Sequence, residues 1–468
     1  MKEGARVLLV GVLGAVLPAS AHAREVFCAS RHEGPCKLPE AWDVLLGGDA
    51  PAVVMNFGLL VPAEAPGKLA LVCEEAFGAR VPQRILHDPR DQFFVPALGG
   101  VHRGDRLGCA WPLVSGIPTT TQAHDVVIDP AVPTRRLALV QSVSMPYLRT
   151  LYVSEDDGGT FTIKHTFSAD QRWSQMAAAP GTPGRLYVAG FGAANLFALA
   201  RSDDGGATFA TTDPVPMLAE RNRGTLMLGV SPLDGNRVFF ARDRPDFGDD
   251  VWVSTDAGQS ARRVLALPGG EIVQGFTFGD GNTVFVAGRV LLAGSPGASA
   301  NLYVSRDGGD TWLPALSSGP TGPRYRCLRF AAGKLFACGA GETGMDDFLV
   351  GSSSDEGRTW TPVYRLSDLL GPRACSTPLC RDTVAWLCET YGICGTDGLP
   401  VEAGPDGGVE DAGRDATTDA SPGVGGGGCG CRVGDPRGGR TGVFFVPLAS
   451  LGALLGRALF SPRRRRRG

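Results

Sequence analysis

The sequence predicts an all-β chain wound into a β-propeller of seven four-stranded blades, and three observations carry that reading. Sixty-six Gly and 34 Pro against only 20% charged residues describe many turns joined by short strands and leave little material for long polar helices. One pattern, Ser-x-Asp-x-Gly-x-Thr-aromatic, recurs along the chain at intervals of about 50 residues, the period of propeller blades. Strand-like runs flank each copy in numbers that make four strands per repeat, the content of one blade. A chain of 468 residues also exceeds what one hydrophobic core normally serves, so a large repeat fold is expected on size alone.

Four copies of the pattern are complete: Ser154, Asp156, Gly158, Thr160 and Phe161; Ser202, Asp204, Gly206, Thr208 and Phe209; Ser305, Asp307, Gly309, Thr311 and Trp312; Ser353, Asp355, Gly357, Thr359 and Trp360. A fifth keeps the turn residues Ser254, Asp256 and Gly258 and loses the aromatic, which is replaced by Ala261. The chemistry is local: Ser and Asp side chains hydrogen-bond nearby backbone N–H groups, and Gly supplies the positive φ of a tight hairpin. The terminal aromatic then opens the next strand and packs inward. Runs such as Val126–Asp129, Leu137–Val140 and Leu151–Ser154 before one copy, and Phe161–Ile163 after it, supply the four strands. Upstream, Gly104 to Trp111 reads as a decayed copy that keeps Gly108 and Trp111 and carries Arg106 in the Asp slot; a weaker relic lies near Val61–Val72, after the strand-like Val53–Leu60. Counting both gives seven blades between residues 45 and 372, with six as the alternative.

These copies resemble the Asp-box, or BNR, repeats of sialidases, sortilin-type receptors and several secreted glycosidases. The resemblance spans residues 45–372 and implies the propeller fold; in the family the boxes are structural turns distant from the binding face, so it implies no activity. A sialidase-like site would add three arginines clamping a carboxylate, a Tyr nucleophile with a Glu partner, and an Asp acid/base. Pro82-Gln83-Arg84-Ile85-Leu86 matches the first arginine motif poorly, and Tyr152, Tyr187, Tyr303 and Tyr325 lie in strand-like runs where packing accounts for them. Acids outside the boxes that could serve a two-carboxylate glycosidase are Glu74, Glu75, Asp243, Asp249, Asp346 and Asp347. No Gly-x-Ser-x-Gly elbow or His-Glu-x-x-His zinc motif occurs, and His87, His102, His124 and His165 are isolated. Gly339 to Gly344 fits a dinucleotide fingerprint but runs into the box at Ser353 with no room for the helix that motif requires. No catalytic residue, metal ligand or cofactor is therefore assigned.

The two ends of the chain carry an address. Lys2 and Arg6, the apolar run Val7–Leu17 and the small-residue site Ala21-His22-Ala23 read as a signal peptide over 1–23, followed by an N-terminal extension, 24–44. Export makes the 12 cysteines disulfide candidates. Cys28 and Cys36 suit a short loop, and Cys327 and Cys338 fall on successive strands of one blade. Cys375, Cys380, Cys388 and Cys394 read as two local bridges in a small knob, 373–394, of open pairing; their spacing and the absence of His disfavour zinc. Residues 395–428 are Gly- and Asp-rich with almost no large apolar side chain, a spacer that cannot offset its folding entropy. The last segment, 429–468, joins Cys429 and Cys431, the apolar run 442–456 and Arg463 to Arg467. It resembles the myxobacterial C-terminal sorting signal (MYXO-CTERM). That resemblance implies cleavage near the cysteines by a sorting protease, lipid attachment at Cys429 or Cys431, and delivery to the outer surface or release; a retained tail anchor is the alternative.

A formal net charge of −3 gives no electrostatic footprint for nucleic acid. The expectation is an exported, monomeric cell-surface propeller that binds a glycan or protein without catalysis. A surface glycoside hydrolase and an envelope assembly factor are the alternatives.

Overall fold

The computed structural model describes residues 41–77, 84–106, 111–192, 196–215, 224–290, 301–315, 325–339, 348–373, 380–381 and 384–385. The segments read as signal peptide, spacer and sorting tail, with Cys28, Cys36, Cys109, Cys375, Cys388, Cys394, Cys429, Cys431, Gly108, Asp346 and Asp347, lie outside the described residues. Among those described, no helix is long and apolar enough to cross a membrane.

Seven antiparallel sheets follow one another along the chain as the blades of a propeller. Blade 1 holds Ala41–Leu45, Ala52–Met55, Gly58–Pro62 and Leu69–Cys73, so the propeller starts ahead of residue 45. Blade 2 holds Leu86–His87, Gln92–Ala97 and Gly100–Asp105, and blade 3 Thr121–Ile128, Arg136–Ser142, Arg149–Ser154 and Thr162–Thr166. In blade 4 come Arg172–Ala178, Leu186–Phe191, Phe197–Ser202 and Ala210–Thr212, and in blade 5 Thr225–Val230, Val238–Asp243, Asp249–Ser254 and Arg262–Ala266. Blade 6 is Glu271–Phe278, Val284–Val290, Leu302–Ser305 and Leu313–Pro314; blade 7 is Cys327–Ala331, Lys334–Cys338, Val350–Ser353 and Thr361–Tyr364.

Burial explains the strand sequences. The second strand of a blade is covered on both faces by neighbouring blades and is apolar through its middle, as in Leu137-Ala138-Leu139-Val140 and Val238-Phe239-Phe240-Ala241. The outermost strand faces water and is largely polar, as in Thr162–Thr166. The core is therefore divided into layers between blades: Leu137, Leu139, Leu151 and Val153 of blade 3 pack on Trp173, Met176, Leu186 and Val188 of blade 4.

Blade 2 shows what a decayed repeat costs. Its sheet has three strands, and the fourth is reduced to an isolated bridge between His102 and Leu113. Trp111 nevertheless fills the inward position, buried against Phe93 with ring centroids 5.5 Å apart. A Cβ on Gly104 would lie 2.2 Å from its indole, so glycine is required there. In blade 1 the relic turn Ala63–Lys68 closes the same third-to-fourth hairpin with backbone bonds, Ala63 N–H to Lys68 O at 2.9 Å and Lys68 N–H to Ala65 O at 3.1 Å.

The ring closes by addition rather than by exchange. Leu369–Pro372 runs parallel to Leu69–Cys73 as a fifth strand on the outer edge of blade 1, and Lys68 pairs with Asp368 at 2.9 Å. Cys327 and Cys338 are bonded across the first two strands of blade 7, as their placement suggested. Cys380 corrects the reading of the knob: it is bonded to Cys73 on blade 1, a sequence separation of 307, and not to a local cysteine. Cys73 had no local signal as its partner, because the pairing exists only once the ring has brought blade 1 beside the segment that follows blade 7.

Candidate functional site

The meander order fixes two unlike faces. Within each blade the first-to-second and third-to-fourth connections emerge on one side, and the second-to-third connections and links between blades on the other. The repeat motif occupies third-to-fourth hairpins, so all five copies share the first face, here the box face; the opposite one is the loop face.

The five turns on the box face are built alike. The Ser hydroxyl donates to the Asp carboxylate at 2.6–2.8 Å and accepts the N–H of the Gly at 2.7–2.9 Å. The carboxylate also accepts the N–H of the Thr, or of Ser260, at 2.9 Å. Two successive residues have positive φ in every copy, for example Asp157 at 59° and Gly158 at 81°, the signature of a turn whose twist matches a hairpin. These bonds favour the ionised acid: the Thr359 hydroxyl and then its N–H hold Asp355 down to about 2, and Thr208 and Thr311 hold Asp204 and Asp307 still lower. Carboxylates locked as anions in turns cannot exchange protons near neutral pH.

A second set of polar groups ties blade to blade along the inner strands. An inner strand has no sheet partner on the channel side, so its bulged N–H groups need acceptors. Asp125 of blade 3 accepts Met176 N–H of blade 4 at 2.7 Å and the Arg84 guanidinium at 2.9 Å. Gln175 accepts Met227 N–H at 2.9 Å, and Asp249 accepts Val273 N–H at 2.7 Å. Asp43 of blade 1 pairs with Arg329 of blade 7 across the closure. Burial raises the pKa of both Asp43 and Asp125 against the pull of these arginines.

The loop face carries the groups whose titration is least ordinary. Asp243 and Asp249 lie opposite each other on adjacent strands of blade 5, and Asp249 Oδ1 is buried without a hydrogen-bond partner. Burial first, and then the Asp243 charge, push Asp249 up to about 7. Glu271, at the start of blade 6, is buried beneath Gly288 and accepts bonds from Asn301 at 2.9 Å and Tyr303 OH at 3.3 Å; burial raises its pKa too. Further round the rim are Arg149, buried and donating to Trp173 O at 2.9 Å, with exposed Arg172 beside it.

Of the acids singled out from sequence, the structure thus brings Asp243 and Asp249 together. Glu74 lies in a 3-10 turn, Glu74–Phe77, after blade 1, with Glu75 on the same turn. Of the tyrosines, Tyr303 bonds Glu271, whereas Tyr187 OH donates to Gly235 O of the next blade at 2.7 Å, and burial raises its pKa to about 12. His87 stacks on Phe93 with centroids 4.0 Å apart and contacts Asp91 at 2.9 Å, and His102 contacts Trp111 O at 2.6 Å. Among the described residues no group of three or more His, Cys, Asp or Glu is placed to hold a metal. Asp43, Asp125, Glu271, Arg149 and Arg172 were missed, since single charged residues in strands carry no motif.

No protein-family model and no curated protein matches the chain. Among solved structures it is similar to an ancestral GH74 enzyme, at 13% identity and a TM-score of 0.41, over 68% of this chain and 38% of that one. It is similar at 14% identity and a TM-score of 0.34 to the GH74 xyloglucanase from Xanthomonas campestris, over 70% of this chain and 74% of that one. YCF48 bound to D1 peptide gives 13% identity and a TM-score of 0.35, over 53% and 68%. At such identities a likeness concerns fold alone, and the chain spans well under half the length of the first of these proteins.

The Asp243–Asp249 pair makes stability pH-dependent in a definite sense. An acid whose folded pKa is about 7 against about 3.9 in an unfolded chain stabilises the fold fully below pH ~4, and that contribution is lost as pH rises through 7. Asp249→Asn should therefore flatten the wild-type fall in stability between pH 5 and 8, a slope of at most about 1.4 kcal/mol per pH unit for one proton. Denaturation midpoints of both proteins across that range check this, and parallel curves would remove Asp249 as the titrating group.

Proposed function

We propose that this chain is an exported propeller of the Asp-box type, displayed at the cell surface by its C-terminal segment, that binds a glycan or protein through its loop face without catalysis. The observation that carries this reading is the employment of the carboxyls. Box acids are held as anions by their own turns, Asp43 and Asp125 are neutralised between blades, and Asp243 and Asp249 face each other across adjacent strands. A glycosidase needs its two carboxyls about 5 to 9.5 Å apart, astride the scissile bond, whereas Asp243 and Asp249 stand side by side at opposed positions of adjacent strands in one sheet. Carbohydrate or peptide recognition requires instead a rigid ring presenting variable loops, which the inter-blade ties supply.

The address rests on the signal peptide and on the resemblance of residues 429–468 to a sorting signal. The test is mass spectrometry of the protein purified from its native envelope, combined with glycan-array binding and a chromogenic-glycoside screen on the same material. Expected are a chain beginning at Arg24, ending near Cys429 with an added mass, and binding without turnover. An intact arginine tail would overturn the sorting proposal. Turnover of any glycoside would replace the binding reading with the hydrolase.

A further inference from the structure

The loop-face rim between blades 3 and 4 gathers positive charge that no carboxylate among the described residues offsets. Arg149 opens the third strand of blade 3 and is only 8% exposed. Its Nε donates to Trp173 O at 2.9 Å and its NH1 to Tyr147 O at 3.5 Å, so its recorded partners are carbonyls and not acids. The first of those bonds carries the guanidinium across to the inner strand of blade 4, where Arg172 precedes Trp173 and is exposed. Their charges repel: burial, and then Arg172, pull the Arg149 pKa down to about 10. On the other side His124 contacts Gln141 at 3.1 Å, and cross-strand register places Gln122, Gln141 and Arg149 in one row. Burial, and then Arg149, lower the His124 pKa. By contrast Arg136, the most deeply buried arginine among the described residues, faces an acid, Asp88, at 2.7 Å. A buried guanidinium bonded only to carbonyls, with an exposed arginine next to its acceptor and amide and imidazole groups beside it, forms a receptor lacking its counter-charge. Asp125 is close in sequence, but its carboxylate is taken by Arg84 and Met176 N–H.

We infer that Arg149 and Arg172, with His124, Gln122 and Gln141 around them, bind an oxyanion group of the ligand: a carboxylate, sulfate ester or phosphate ester. The exposed ring of Tyr147, whose carbonyl Arg149 holds, stands beside it as an apolar surface for the remainder of the molecule. This deepens the binding reading of the loop face, but the anion contact stands on its own geometry.

The probes are inorganic sulfate and inorganic phosphate, added to the full mature protein at constant ionic strength made up with chloride, with His124 followed by NMR and thermal stability measured in parallel. Saturable binding is expected, raising the His124 pKa, with about tenfold weaker binding in Arg172→Gln. Arg172 is exposed, so that variant should keep the wild-type melting temperature in chloride; Arg172→Lys, which retains the charge, should recover part of the affinity. Absence of saturation in the wild type, or equal binding by Arg172→Gln, would overturn the inference. Polysaccharides bearing carboxylates, sulfates or phosphates, tested beside a neutral one, then identify the source. Inorganic anions that bind while every glycan fails would sustain this site and count against glycan recognition. A neutral glycan that binds while all anions fail would do the reverse.

Discussion

Arg136→Met is expected to lower stability by about 3–5 kcal/mol, because it strips the counter-charge from a carboxylate with no access to water. The Arg136 and Asp88 side chains are 1% and 0% exposed and meet at 2.7 Å between blades 3 and 2. Asp88 also accepts the N–H groups of Arg90 and Gln92, at 2.9 and 3.1 Å, and so shapes the turn of blade 2. Arg136 donates to Pro133 O at 2.5 Å and lies over the Phe94 ring at 5.7 Å. Removing the guanidinium alone leaves the carboxylate charged, buried and supported by two N–H groups. Adding Asp88→Asn to Arg136→Met removes the orphaned charge while keeping a side-chain oxygen for those donors. The double variant should therefore be more stable than Arg136→Met alone, which is opposite to what two independent losses would give. Chemical-denaturation midpoints of the two single variants, the double variant and the wild type decide it. A double variant that is the least stable of the four would mean that packing over Phe94, and not charge, dominates the site.

How much of this could be read from sequence follows from the range of the interactions. A box is local: Ser154, Asp156, Gly158 and Thr160 are spaced two residues apart and bond one another, so the sequence displays the turn directly. Repetition of that turn made the blade count legible even where two copies had decayed, because Trp111 and the Ala63–Lys68 hairpin keep their places in the period. The Cys327–Cys338 bridge was legible for the same reason, lying across one hairpin. What sequence could not show are pairings made by the ring. Arg136 and Asp88 come from neighbouring blades, and Arg149 reaches Trp173 O, next to Arg172, only because two strand ends converge at the rim. Asp243 and Asp249 were visible as separate acids, but their juxtaposition depends on cross-strand register. The loop face is written in such long-range pairs, whereas the box face is written in short-range ones, so the scaffold was the legible half.

Cysteine replacement tests the longest of those pairings. In the chain-entropy description a crosslink stabilises by restricting the unfolded chain, and its effect grows with the logarithm of the loop it closes. Cys73–Cys380 closes a loop of 307 residues and Cys327–Cys338 one of 11. The double variant Cys73→Ser/Cys380→Ser is therefore expected to lose about 5 kcal/mol, and Cys327→Ser/Cys338→Ser about 3 kcal/mol. Location points the same way. The closing strand, Leu369–Pro372, offers only a short parallel ladder to the outer edge of blade 1, and parallel pairing is the weaker kind per residue. Without the Cys73–Cys380 bond that strand and Lys68–Asp368 can fray as a unit, so limited proteolysis should cut the double variant after blade 7 while the remaining blades resist. The order of the two losses in denaturation, with the cleavage site read by mass spectrometry, decides whether the crosslink is the ring's fastening. Equal losses with no new cleavage would assign closure to the packing of Cys327, Cys338, Leu349 and Val350 against Ala41, Val44, Val53 and Met55. In that case the blade 7–blade 1 interface would hold the ring as any other pair of blades is held, by buried apolar surface.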